Sequence, residues 1–130
     1  MGSAAANTRT KPTYEPAVKL EGHHEEVNCI AVSADGSLLA SGSEDFSVRI
    51  WNFGEGASYE CIRELVGHTE YVVCVAFMGN YLLSGSGDMT LRKWNVSTGA
   101  CELVCYLSPN FTRRIFRGFH STVNYFILVR

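Results

Sequence analysis

GHHEEVNCIAVSADGSLLASGSEDFSVRIW, residues 22–51, is answered by GHTEYVVCVAFMGNYLLSGSGDMTLRKW, residues 67–94. Each stretch opens on Gly-His, carries Ser-Gly-Ser-x-Asp in its middle and closes on Trp. Self-similarity at a period of about 40–45 residues marks a repeat architecture, in which each unit buries its apolar face against a neighbour. Polar residues that recur at the same place in both units therefore need a structural explanation before a catalytic one.

Between these markers the chain reads as short strands. Val27, Cys29, Ile30 and Val32 predict a buried first strand, and Ala34-Asp35-Gly36-Ser37 a hairpin turn, because Asp-Gly tolerates the positive φ of such turns. Residues 38–41 make a second strand and residues 48–51 a third, in which apolar and polar side chains alternate. An outer strand is expected at 59–65, after Gly54-Glu55-Gly56. The second copy follows the same plan at 72–78, 81–84, 90–94 and 101–106, and a short strand at Val18–Leu20 leads into the first Gly-His. Four antiparallel strands per unit describe one blade of a propeller.

The expected organisation is a disordered segment at 1–16, small, polar and without period, then two repeats within 17–106, at about 22–66 and 67–106. An irregular insertion follows at 107–117, and an incomplete third repeat at 118–130, where Gly118-Phe119-His120 echoes the earlier openings. The net charge of −2 divides unevenly: residues 1–106 hold all thirteen acids, whereas 107–130 hold Arg113, Arg114, Arg117 and Arg130 and no acid. An acidic body speaks against nucleic acid, whose binders carry a basic face. No apolar stretch approaches a membrane span, and the start lacks a signal-peptide core, so the cytoplasm is expected, with the nucleus as alternative. Five cysteines without a CxxC pair read as free thiols, with Cys29 and Cys74 at the same strand position in the two copies.

At these residues the chain resembles the WD-repeat family of β-propellers, although the name-giving Trp-Asp reads Trp51-Asn52 and Trp94-Asn95. The resemblance implies an all-β fold, an incomplete propeller of consecutive four-stranded antiparallel blades. It also implies a polar tetrad in each blade: His23, Ser41, Asp45 and Trp51, then His68, Ser84, Asp88 and Trp94. Indole N–H can only donate, hydroxyl can accept and pass on, imidazole can relay, and carboxylate accepts. By the same resemblance the partner-facing positions are Glu26, Asn28 and Glu44 in the first repeat, Tyr71, Val73 and Gly87 in the second, and Thr122 and Asn124 in the third. Acid and amide in the first repeat favour a basic peptide, and Tyr71 is an aromatic anchor of the kind enriched at binding hot spots.

Ser, His and Asp together invite a catalytic reading. Yet Ser41 and Ser84 lie in strands without a G-x-S-x-G elbow, and the set occurs twice, as a structural device does. His23-His24-Glu25-Glu26 lacks metal-site spacing, and Gly85-Ser86-Gly87-Asp88 lacks the Gly-Lys-Ser/Thr of a phosphate loop. The expectation is a non-catalytic scaffold for protein–protein interaction, without metal or cofactor, as a fragment or short isoform of a larger propeller protein. Two and a half repeats cannot close a ring of four to eight blades, so self-association or completion by further repeats is expected. The alternatives are a peptide- or RNA-recognition module on the same fold and, behind it, a hydrolase using His23, Ser41 and Asp45.

Overall fold

The computed structural model describes residues 18–108. Eight strands form two four-stranded sheets among these residues. The first contains β1 (Val27–Val32), β2 (Leu38–Ser43), β3 (Val48–Asn52) and β4 (Cys61–Leu65). The second contains β5 (Val72–Met78), β6 (Tyr81–Ser86), β7 (Thr90–Asn95) and β8 (Cys101–Tyr106). Within each sheet the strands lie in chain order, each antiparallel to the next, which is the all-β blade arrangement the repeat implies. The registers also correspond: Leu39 faces Trp51 as Leu82 faces Trp94, and Ser41 faces Arg49 as Ser84 faces Arg92.

Two local irregularities recur in both copies. The pairing of the first strand slips between Val27 and Cys29 and again between Val72 and Cys74, so Asn28 and Val73 are the extra residues of matching bulges. Such a bulge re-aims the side chain it inserts. The hairpin after β1 turns where Asp-Gly requires it, with Gly36 at φ 76° and its N–H donating to the Ser33 carbonyl at 2.9 Å.

The core lies between the sheets. Ala31, Ala40, Val48, Ile50 and Leu65 of the first sheet pack with Val72, Val75, Leu82 and Trp94 of the second. Gly42 permits this approach: a Cβ there would stand 2.5 Å from Val72 Cγ1 and 2.7 Å from Cys29 Sγ. Burial holds the thiols of Cys29 and Cys74 protonated, pushing the former up to about 12 and the latter higher still.

Three expectations need correction. The first strand forms but is not buried: Ile30 is 54% exposed, whereas its counterpart Val75 is 5% exposed. Among the described residues only the second sheet has a sheet in front of it, so the same sequence pattern yields a covered strand there and an open one in β1. Val18–Leu20 is not a strand; among the described residues no strand of a preceding sheet lies beside it. The outer strand begins at Cys61 rather than Tyr59, because Tyr59 takes φ 60°, outside the extended region. The expected disorder of 1–16, the third repeat at 118–130 with Thr122 and Asn124, and all of the 107–117 insertion beyond Ser108 fall outside the described residues.

Candidate functional site

In each sheet the third strand supplies Trp, the second Ser, the turn after it Asp, and the loop before the first strand His. The structure brings all four into one hydrogen-bonded chain. Trp51 Nε1–H donates to Ser41 Oγ at 2.9 Å, and Ser41 Oγ lies 2.6 Å from His23 Nε2. His23 Nδ1 lies 3.0 Å from Asp45 Oδ2. Because an ionised carboxylate can only accept, the imidazole proton belongs on Nδ1; Nε2 of a neutral ring then accepts, and the serine hydroxyl, whose oxygen takes the indole proton, donates to it. The second sheet repeats the chain: Trp94 to Ser84 at 2.8 Å, Ser84 to His68 at 2.7 Å and His68 to Asp88 at 2.8 Å.

The carboxylates gather further donors. Asp45 Oδ2 accepts the backbone N–H of His24, and Oδ1 accepts both the N–H and the hydroxyl of Ser47, the latter at 2.6 Å. Asp88 is served likewise by Thr69 and by both groups of Thr90. Burial alone would raise both carboxyls, but these donors outweigh it. They hold Asp88 at about 2 and Asp45 lower still. Burial dominates at His68, favouring the neutral ring against the opposing pull of Asp88, while the nearby Arg92 charge also lowers its pKa.

Four participants were not singled out from the sequence. Ser47 and Thr90 bond the aspartate two residues before them, and their Oγ atoms sit 3.3 and 3.2 Å from the histidine Nδ1. Ser43 and Ser86 donate to the carbonyls of Glu25 and Glu70 and accept the N–H of Asp45 and Asp88, pinning the entry loop to the turn. The signal was present: Ser-x-Asp-x-Ser/Thr occurs in both copies, at 43–47 and 86–90.

Ser–His–Asp connectivity is thus real, but its setting is unlike that of a nucleophile. Ser41 is 4% exposed and Ser84 fully buried, and each oxygen already accepts an indole proton. A nucleophilic oxygen needs an open path and free lone-pair density toward substrate. His23 is occupied by Ser41 and Asp45, and the neighbouring His24 is exposed, so the pair does not converge on one point.

The loops that anchor the two networks lie at one end of the molecule. Glu44 N–H donates to the Glu26 carbonyl and Gly87 N–H to the Tyr71 carbonyl, both at 2.9 Å, so two of the positions that the resemblance marks as exposed to a partner sit side by side in each blade. The bulged Asn28 reaches across the blades, its Nδ2 donating to the Val72 carbonyl at 2.9 Å. Glu26, Glu44 and Tyr71 are exposed, Asn28 is exposed with its amide spent on the second blade, and Val73 is half-buried. These loops, residues 22–26, 44–47, 67–71 and 87–89, carry six carboxylates and no lysine or arginine.

Comparison with known proteins agrees with this geometry. The pattern of the "WD domain, G-beta repeat" family matches residues 14–52 and 59–95, more than half of the chain. Nuclear distribution protein PAC1 of Ajellomyces capsulatus (strain H143) is 42% identical over 66 residues, covering 51% of this chain and 14% of that protein. WD repeat-containing protein 18 of Homo sapiens is 42% identical over 52 residues, covering 40% of this chain and 11% of its own length. Among solved structures, "Structure of U3-55K" superposes with a TM-score of 0.63 at 31% identity, covering 68% of this chain and 27% of that one. "Crystal structure of RRP9 WD40 repeats" gives 0.61 at 32% identity, covering 66% and 26%. The chain therefore spans only a small part of the length of the proteins it matches.

Proposed function

The chain belongs to the WD-repeat family, and from that membership we propose that it is a non-catalytic scaffold for protein–protein interaction, acting as part of a larger propeller. The loop end carrying Glu26, Asn28, Glu44, Tyr71 and Val73 is its contact surface. The division of labour at this end carries the reading: the groups with catalytic chemistry are buried and bonded to one another, while carboxylates and a tyrosine stand free above them. The two tetrads are then scaffolding, tying entry loop, turn and two strands into one register. Repeats at about 22–66 and 67–106, with a further one opening near 118, fit a chain completed by other blades or by copies of itself.

A protein partner fits this end better than RNA, because phosphate binding depends on lysine and arginine, which these loops lack. No helix of the described residues is long and apolar enough to cross a membrane, and the five cysteines are unpaired, which fits a reducing cytoplasmic or nuclear setting.

The test is crosslinking and affinity capture from cells, comparing the wild-type chain with E26K/E44K and with Asp35→Lys in the β1–β2 hairpin. The expected result is loss of captured partners with E26K/E44K and their retention with Asp35→Lys. Equal capture by all three would overturn the choice of surface. Labelling of Ser41 or Ser84 by a fluorophosphonate probe would overturn the non-catalytic reading.

A further inference from the structure

Tyr71 and Gly87 distinguish the second blade from the first. Where the first blade has Glu26 beside Glu44, the second has an aromatic ring beside a glycine. A Cβ on residue 87 would stand 2.7 Å from Tyr71 Cζ, 2.8 Å from Cε1 and 3.1 Å from Cε2. All three contacts lie at the hydroxyl end of one ring face, so the ring is seated on the glycine backbone and only a residue without a side chain permits that seat. The ring is nonetheless 42% exposed. It is an aromatic surface with one face resting on backbone, and a ring packed in this way has less freedom to lose when a ligand binds.

Its electrostatic surroundings are one-sided. Glu70, which precedes it in the chain, is exposed, whereas the Asp88 carboxylate is buried and held by His68, Thr69 and Thr90, so the free acids of this end are those of the entry loops and the first blade's turn. Asn28 ties the first blade to Val72, the residue after Tyr71, which brings the Glu26–Glu44 pair to the same end. A positive charge over a π face is attracted by the ring quadrupole, and flanking carboxylates add to that attraction.

We propose that Tyr71, seated on Gly87 at a loop end that holds carboxylates and no lysine or arginine, is a cation–π platform that receives a lysine or arginine side chain from a basic peptide segment of the partner. The inference rests on the loop end being the contact surface and adds the chemical class of its ligand. Gly87 is the positioning residue and Tyr71 the contact. Glu26 and Glu44 steer the approach, so their effect weakens with salt while that of the ring does so far less.

The experiment is a two-dimensional NMR titration of the 130-residue chain with the peptide (Gly-Ser-Arg)3, its lysine counterpart, and a control in which citrulline replaces arginine. The expected result is saturable shifts at the Tyr71 ring and the Gly87 N–H with both cationic peptides and none with citrulline. Y71F retains binding, and Y71A weakens it roughly 3- to 30-fold, the range of an aromatic–cation contact. Gly87→Ala, which keeps the tyrosine but removes its seat, weakens binding similarly. Should Gly87→Ala unfold the chain, Y71A with an otherwise unchanged spectrum decides alone. Shifts confined to other residues, equal binding of the citrulline peptide, equal binding by Y71A, or no shift at any peptide concentration would each overturn the platform. Loss of cellular partners with E26K/E44K but not with Y71A would leave the contact surface standing and remove this inference alone.

Discussion

At the scale of single residues, the molecule depends on polar groups that have no alternative partner. Ser84 is fully buried and joins Trp94 Nε1 to His68 Nε2. Ser84→Ala removes the oxygen and leaves both neighbours unpaired, for an expected loss of about 1–3 kcal/mol, read as a lower urea midpoint with unchanged slope. The same network sets an acid limit. His68 has its pKa below the ordinary 6.5, so the unfolded chain takes up its proton first and stability declines as pH falls below that value. Asp88 is displaced from 3.8 to about 2, so its contribution is complete above 3.8 and is lost as pH falls through about 2. Both shifts act in one direction. The melting temperature should be level above pH 7, fall below 6.5 and fall more steeply below 4. A rise between pH 7 and 5 would contradict the neutral histidine; Asp88→Asn should flatten the lowest limb.

At the scale of elements, identical patterning has different consequences in the two sheets. Ile30 and Val75 both pair with the tetrad serine, yet one is 54% exposed and the other 5%. Val75→Ala should therefore cost about 1–3 kcal/mol through lost burial and a cavity, whereas Ile30→Ala should stay within roughly 0.5 kcal/mol. Comparable losses in thermal denaturation of both variants would mean that the first sheet is covered in solution. This contrast also bounds what sequence patterning can reveal. The eight tetrad positions were expected from the family resemblance; strand order and the ends of β5 and β8 were legible, because they follow from a repeat and its strand patterning. The cover over β1 was not, since periodicity reports that a face is apolar and says nothing of what meets it. Nor was the reach of Asn28 to Val72, which depends on a bulge that adds one residue without any glycine or proline to mark it. The seat of Tyr71 on Gly87 was out of reach for a similar reason: both positions were visible, but their contact joins residues sixteen apart across a turn.

At the scale of the whole molecule, two sheets have one interface between them and two outward sides. On the side of β1, Val27, Ile30 and Val32 are 50%, 54% and 37% exposed. In the second sheet, Leu103 and Tyr106 of the outermost strand β8 are 51% and 82% exposed. The interface already present shows what suits the first of these: Val72 and Val75, the counterparts of Val27 and Ile30, are buried against the first sheet. A second chain could present the equivalent surface in a head-to-tail contact, which closes into a ring only if the rotation per chain permits. Exposed apolar surface of this kind drives association in either case. Residues 1–130 should therefore show a weight-average mass that rises with concentration in sedimentation velocity. Ile30→Lys with Val32→Lys should bring it toward the mass of one chain. Near-ultraviolet circular dichroism separates dissociation from unfolding, because Trp51 and Trp94 are 3% and 2% exposed and fixed by their serines. A retained tryptophan signal with a falling mass locates the contact on β1. A constant single-chain mass for the wild type would instead require that face to be shielded within the chain itself, and the lysine pair would then cost stability rather than association.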